Sequence, residues 1–218
     1  MIRNDASADA ARAHYDRWAQ AYGRSRLLPS LQKKALGELA PEPSDHLLDV
    51  ACGAGKVVVE TAPLVERAVG VDLSDGMLAL ARARLDAARE VEPLENVEFH
   101  RAPSDALPFE DASFTALLCT TAFHHFPDPQ GSIDEMGRVL ATNGRLVIGD
   151  ATKDSPVTKI ADPLYKRFEE GHVGLQRRRD IEVMLGRAGL EVTRSRRVWL
   201  GIYAIVSAKR PAARHGSA

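Results

Sequence analysis

Cysteine is scarce in this sequence, where Cys52 and Cys119 are the two representatives among 218 residues. A disulfide scaffold or a four-cysteine zinc site needs more, and such sparse use is typical of a reducing compartment. The first residues, MIRNDASADAARAH, lack the apolar core of a signal peptide, and no run approaches the roughly 18 apolar residues of a membrane helix. We therefore expect a cytoplasmic protein without a membrane span.

An excess of either charge is also absent. Lys and Arg total 29, Asp and Glu total 30, and the formal net charge is −1. A near-neutral chain has no overall attraction to nucleic acid, so no nucleic-acid partner is expected. Its 44% hydrophobic and 27% charged residues are typical of a globular protein. We expect one domain over residues 1–210, a disordered tail over 211–218, and a monomer or homodimer.

Short apolar runs alternate with amphipathic segments along the middle of the chain. Five strands are predicted over 46–50, 68–71, 97–100, 114–120 and 145–150. Helices are predicted over 7–22, 29–39, from the glycine loop to about 65, and over 75–88, 132–140 and 180–188. The alternation predicts an α/β fold, a Rossmann-like doubly wound sheet that is mostly parallel. The β-rich runs 190–199 and 202–208 add a C-terminal antiparallel hairpin at one edge and bring the total to seven strands.

The strongest local signal is a glycine loop between the first strand and its helix, LLDVACGAGKVVV over residues 47–59. Small residues let a ligand approach the backbone, and a helix N-terminus offers free N–H donors. Asp72 closes the second strand 19 residues beyond Gly53, a spacing that suits a carboxylate binding two ribose hydroxyls. A ligand that contains a nucleoside is therefore expected here, the alternative being a plain strand–turn–helix.

The loop lacks the third glycine of the dinucleotide fingerprint. Gly55 is followed by Lys56, Val57 and Val58, and the bulky Val58 hinders close helix–strand approach over a pyrophosphate. Asp49 would repel a pyrophosphate, whereas it suits a cationic amino-acid group. These features disfavour a nicotinamide-dependent oxidoreductase, which stays the less favoured alternative.

Four motifs in order resemble those of class I S-adenosylmethionine-dependent methyltransferases, especially the ubiquinone/menaquinone-biosynthesis type. They are LLDVACGAG, VGVDLSDGMLALAR, DALPFEDASF and EMGRVLATNGRLVIGD, and the resemblance extends from about Tyr15 to Lys209. It implies S-adenosylmethionine as cofactor and transfer of its methyl group to an O, N or C nucleophile of a small-molecule acceptor, with release of S-adenosylhomocysteine. A non-catalytic module that binds the same cofactor is the alternative.

The resemblance also implies which residues contact the cofactor. They are Tyr22, Asp49, Ala51, Cys52, Gly53, Gly55, Asp72, Leu73, Met77, Ser104, Asp105, Ala106 and Thr120, with Thr121 nearby. Two positions depart from the family pattern. Ala51 replaces the usual glycine, and Pro103 stands where an acidic residue often meets the adenine amino group. Either Asp105 takes over that contact or it is lost.

His124 and His125 follow the fourth strand and are the candidate catalytic residues, because ligands of open α/β sheets bind beyond the strand carboxyl ends. His125 is favoured as the residue that points at the cofactor, the alternative being that one of the pair packs in the core. The candidate substrate-binding residues are Tyr15, Asp150 and His172. Residues 1–40 are expected to form a helical lid, 45–150 the cofactor-binding core and 151–180 a substrate-covering insertion.

Other residue groups carry less chemistry. The arginines of the C-terminal third are expected to form a solvated charge run, and both cysteines to be small buried residues. The motif that adenine-N6 methyltransferases carry after the fourth strand is missing, since this sequence reads Thr120-Thr121-Ala122-Phe123. No cluster has metal-ligand spacing, so no metal is expected.

Overall fold

A seven-stranded sheet forms the centre of the structure, a computed structural model that describes residues 28–168 and 173–212. The strands are β1 His46–Val50, β2 Arg67–Asp72, β3 Val97–Arg101, β4 Phe114–Thr120, β5 Leu140–Ala151, β6 Glu191–Val198 and β7 Tyr203–Lys209. Their order across the sheet is β3-β2-β1-β4-β5-β7-β6. β1 to β5 are mutually parallel, and β7 pairs antiparallel with both β5 and β6. The predicted fold class and terminal hairpin are confirmed.

Six α-helices flank the sheet in the described part of the chain. They are α1 Leu28–Leu39, α2 Lys56–Thr61, α3 Asp75–Arg89, α4 Pro129–Val139, α5 Pro156–Phe168 and α6 Arg178–Arg187. Single 3-10 turns cover 62–64, 123–125 and 199–201. α4 begins three residues before its predicted start, because the Asp128 side chain caps it by accepting from the Gly131 N–H and Pro129 suits a first helical position. No helix of the described residues is long and apolar enough to cross a membrane.

Apolar side chains alternate between two cores, one on each face of the sheet. Leu48 and Leu117 point into the core covered by α4 and α6, while their neighbours Leu47 and Leu118 point into the core covered by α1, α2 and α3. Strands buried on both faces explain the nearly continuous apolar runs of the sequence. The two covered faces leave the carboxyl ends of the parallel strands open at one edge.

β5 is longer than the predicted strand 145–150. Its first residues include Asn143, whose φ of 63° is left-handed, and the pairing with β4 shifts register between Phe114 and Ala116. Asn143 N–H donates to the Arg210 carbonyl and Arg210 N–H donates to the Gly144 carbonyl. The predicted Asn143-Gly144 turn is therefore an irregularity inside the strand, paired with the residue after β7.

Part of the expected lid, residues 28–39, is the helix α1. Its residues Leu31, Ala35 and Leu39 are fully buried, and the helix packs against β4, β5 and β7. The predicted helix 7–22 and the tail residues 213–218 lie outside the described residues. The subdivision of the chain into lid, core and insertion stays a prediction.

Replacement of Phe114 by alanine is expected to destabilise the fold strongly. Phe114 is fully buried at the start of β4, and its ring meets that of Phe109 edge-on at 4.9 Å. The free energy of unfolding in urea should fall by about 3–5 kcal/mol, since a large cavity is left. Val91→Ala, at a side chain that is 89% exposed, should change it by less than about 0.5 kcal/mol. Equal losses would contradict this placement of the core.

Candidate active site

The glycine loop turns through three left-handed residues at the end of β1. Ala51, Gly53 and Gly55 have φ values of 60°, 52° and 68°. A Cβ on Gly55 would lie 2.7 Å from both Ala81 Cβ and Phe99 Cζ, so glycine is required there. Ala51 takes the place of a glycine at some conformational cost. The loop thus turns tightly at the position where the resemblance predicts the cofactor.

Asp72 ties this loop to the end of β2. Its carboxylate accepts the Gly53 N–H at 2.8 Å through Oδ2 and the Ser74 N–H at 2.9 Å through Oδ1. Arg84 on α3 donates to the Ala54 carbonyl, so the loop is also linked to α3. The carboxylate is therefore oriented in advance beside the loop, as ribose binding requires.

Asp49 is a buried carboxyl just before the loop. The side-chain atom Oδ1 has no hydrogen-bond partner among the described residues, and the residue is 2% exposed. Burial, and then the nearby Asp72 charge, raise the pKa of Asp49 to about 8. A cationic group placed here would stabilise the ionised form. The site therefore fits the cationic amino-acid end of S-adenosylmethionine.

Residues predicted to contact adenine lie along the next two strand ends. Leu73 is half-buried, and Met77 is fully buried, with its N–H donated to the Ser74 hydroxyl that caps α3.

Cys52 is buried in the loop, and burial raises the pKa of its thiol well above the usual range. Cys119 is buried in β4. The prediction that both cysteines are small buried residues is confirmed.

The third predicted adenine contact is a turn after β3. Ser104, Asp105 and Ala106 are half-buried, and the Ala106 N–H donates to the Pro103 carbonyl at 3.3 Å. The Ser104 hydroxyl lies 2.8 Å from the Ser132 hydroxyl of α4.

Thr120 and Thr121 bring β4 to the same edge. Thr120 is buried, whereas Thr121 has a left-handed φ of 57° and donates its N–H to the Gly149 carbonyl. The Thr121 hydroxyl oxygen is buried without a hydrogen-bond partner among the described residues. A β-branched residue rarely adopts this conformation, and such strain clusters at functional sites.

His124, the first of the two candidate catalytic histidines, is held by Asp150. Its Nδ1 lies 2.7 Å from Asp150 Oδ1, and its backbone N–H donates to Asp150 Oδ2 at 3.0 Å. The His125 ring is buried and lies against the His124 ring, with 3.9 Å between centroids. The sequence favours His125 and does not predict the pairing of His124 with Asp150. The signal was present, because both residues follow neighbouring parallel strands.

The pair has the electrostatics of an oriented base. Burial raises the pKa of the Asp150 carboxyl, but the attraction and hydrogen bond of His124, the Ala151 N–H and the attraction of His125 together outweigh it, so this pKa lies below its usual range. Asp150 is thus an ionised acceptor that fixes the imidazole orientation. The expectation that Asp150 binds the substrate stays a prediction.

Tyr15, Tyr22 and His172 lie outside the described residues. The chain that follows His172 nevertheless reaches the site, because the N–H groups of Val173 and Gly174 donate to the His124 carbonyl. Sequence reasoning missed this contact, since neither residue carries functional chemistry. Among the described residues, no group of three or more His, Cys, Asp or Glu side chains could hold a metal.

Several arginines of the C-terminal third are paired. Arg194 and Arg196 on β6 lie 3.1 and 2.7 Å from the Glu38 carboxylate of α1. Arg178 contacts Glu182 and donates to the Ser195 hydroxyl. These three guanidinium groups therefore link secondary-structure elements. The sequence predicted only a solvated run of charge for them.

Comparisons with known proteins place this geometry in context. Residues 48–148 match the family model of a methyltransferase domain. A demethylmenaquinone methyltransferase of Clavibacter sepedonicus is 28% identical over 245 aligned positions, covering 100% of this chain and 98% of that protein. The uncharacterized methyltransferase YcgJ of Bacillus subtilis is 31% identical over 130 residues, 59% of this chain and 50% of YcgJ. The chain spans about half the length of most of the curated relatives it matches.

A solved structure has the same fold. It belongs to the complex between the Haloferax volcanii Trm112 methyltransferase activator and a methyltransferase, with a TM-score of 0.76. The match covers 91% of this chain and 98% of that chain at 19% identity. At this identity the likeness shows the fold alone.

The stability of the protein is expected to depend on Asp49 between about pH 4 and pH 8. The folded-state pKa of about 8 lies above the ordinary 3.8, so the folded state binds more protons and loses stability as the pH rises through this window. Wild type should therefore lose at least about 1 kcal/mol relative to Asp49→Asn, judged by urea unfolding at several pH values.

Asp86→Asn is the control for this experiment, because the Asp86 side chain is exposed on α3. Its difference from wild type should stay constant over the same pH range. A constant difference for Asp49→Asn as well would rule out the buried, protonated carboxyl.

Proposed function

Since residues 48–148 match the family model of a methyltransferase domain, we propose that the chain is a class I S-adenosylmethionine-dependent methyltransferase, which transfers a methyl group from this cofactor to a small-molecule acceptor and releases S-adenosylhomocysteine. The observation that carries the proposal is the placement of Asp49 and Asp72 on either side of one left-handed loop. Bound S-adenosylmethionine supplies a sulfonium methyl group for displacement by a nucleophile.

The chain's own residues divide the work of holding the cofactor. Asp49 would meet the cationic methionine end, and Asp72, oriented by Gly53 and Ser74, would accept the ribose hydroxyls. Leu73 and Met77 would pack on adenine. Val58 at the third-glycine position is fully buried against the neighbouring strands, which opposes a dinucleotide pyrophosphate.

His124 would act as the base toward the acceptor. Asp150 occupies its Nδ1, so the other ring nitrogen, Nε2, is the atom that takes a proton. A protein base accelerates methyl transfer when the nucleophile must lose a proton, as a hydroxyl does. The pair therefore favours an acceptor with an ionisable O–H, held beneath the 151–180 stretch.

The proposal also covers the cellular location, the class of acceptor and the oligomeric state of the enzyme. The sparse use of cysteine, two residues in 218, supports a cytoplasmic location. The formal charge of −1 and the pairing of Arg178, Arg194 and Arg196 support an acceptor other than nucleic acid. A monomer or a homodimer is proposed.

Loss of the Asp72 carboxylate should weaken cofactor binding. Asp72→Ala leaves the Gly53 and Ser74 N–H groups without their acceptor and removes the ribose contact, at a cost of about 1–3 kcal/mol, or roughly 5- to 150-fold in affinity. Calorimetry with S-adenosylmethionine measures this loss. The control is Asp75→Ala, three residues on, where the carboxylate is exposed and pairs with Arg101. Unchanged affinity in the Asp72 variant would refute the binding model.

Removal of the base should slow methyl transfer and leave cofactor binding intact. His124→Asn and Asp150→Asn should each lower label transfer from S-adenosylmethionine to a metabolite extract by roughly 100-fold, because both break the same oriented pair. His100→Asn, at a half-buried residue of β3, should have little effect. Cofactor binding by the wild type with no labelled product would instead identify a non-catalytic module.

A further inference from the structure

A short strip of chain, residues 173–177, lies directly beside the His124–Asp150 pair. The N–H groups of Val173 and Gly174 donate to the His124 carbonyl oxygen at 3.2 and 3.1 Å. Asp150 holds the same residue through its backbone N–H and its Nδ1. The backbone of His124 is thus clamped between the strip and β5.

The strip is fastened in turn by Asp162 of α5. Asp162 Oδ1 accepts the Leu175 N–H at 2.8 Å, and its Oδ2 lies 3.1 Å from Lys153 Nζ. The Lys153 N–H donates to the Gln176 carbonyl, which ties the strip to the chain just after β5. Asp162 is buried, so its removal leaves a buried N–H and an ammonium without their acceptor.

We propose that Asp162 is a positioning residue for His124: it fixes the strip, and the strip fixes the imidazole against Asp150. The inference rests on the proposed role of His124 as the base. Displacement of a catalytic group by about 1 Å can cost roughly 100-fold in rate, so a residue that acts through the backbone can control turnover. Because α5 lies in the stretch expected to cover the acceptor, Asp162 links that cover to the base.

The first test needs no acceptor. In wild type, NMR should show the hydrogen-bonded Nδ1 proton of His124, together with slow hydrogen exchange at Val173 and Gly174. Asp162→Ala should broaden or shift that proton resonance and speed exchange at both amides by roughly 10-fold or more. Asp162→Asn keeps an oxygen that can accept the Leu175 N–H, so it should restore most of the wild-type signal.

The second test measures turnover with labelled S-adenosylmethionine and a metabolite extract. Asp162→Ala should lower the rate at saturating cofactor by roughly 10-fold, with the cofactor dissociation constant unchanged within about twofold. Asp162→Asn should retain most of the rate. In a His124→Asn background, Asp162→Ala should cause no further loss, because both changes then act on the same step.

Asp45 provides the matched control. It is also a buried carboxylate that accepts a backbone N–H, that of Glu42, and pairs with a cation, Arg145, but it lies at the opposite edge of the sheet. Asp45→Ala should lower the melting temperature as Asp162→Ala does. It should leave the His124 resonance and the rate unchanged.

Three outcomes distinguish a failure of the positioning role of Asp162 from a failure of the proposed role of His124 as the base. An unchanged His124 resonance in Asp162→Ala, or an equal change in Asp45→Ala, overturns the positioning role. Full activity of His124→Asn overturns the proposed role of His124 as the base. It does not affect the positioning of the His124 ring, which the NMR experiment tests separately. If Asp162→Ala does not fold, Asp162→Glu replaces it, since it keeps a carboxylate for Lys153 but moves that carboxylate by one methylene relative to the Leu175 N–H. A shifted His124 resonance in that variant supports the proposal, and an unshifted one rejects it.

Discussion

The reversal of strand order between β1 and β4 is the constraint on which the site depends. β1 pairs with β2 on one side and with β4 on the other, so the chain leaves their carboxyl ends in opposite directions and a crevice opens between them. The candidate site residues all lie near these carboxyl ends: Asp49, Asp72, Thr121 and the His124–Asp150 pair. The left-handed loop and the strained Thr121 are the local costs of turning the chain there.

Two buried carboxyls at this edge differ in charge because their neighbours differ. Asp49 lies beside another acid, Asp72, so burial and repulsion together raise its pKa to about 8. Asp150 is as deeply buried, but His124 supplies an attraction and a hydrogen bond that keep its pKa low. One carboxyl is therefore suited to a cation brought by a ligand, and the other to a cation formed on the protein's own imidazole.

Predictions from the sequence succeeded where the signal was local. The strand 46–50 and the strand 114–120 have the predicted bounds, because uninterrupted apolar runs define buried strands. α4 begins earlier than predicted because the Asp128 side chain caps it, and β5 is longer than predicted because Asn143-Gly144, typical of a turn, lies inside the strand. The candidate cofactor residues that the structure describes lie near the edge where the carboxyl ends of the parallel strands meet. Their contacts with a ligand stay predictions.

By itself, the sequence determined the order of strands and helices, the glycine loop and the acidic residue that follows it, because each depends on neighbours within about 20 residues. Tertiary structure alone decided that His124 rather than His125 meets Asp150, and that the strip 173–177 holds the His124 carbonyl. The first contact joins residues 26 apart, and the second joins residues about 50 apart. Such pairings arise only when β4 and β5 lie side by side and residues 173–174 return to the chain that follows β4, which no periodicity along the chain records.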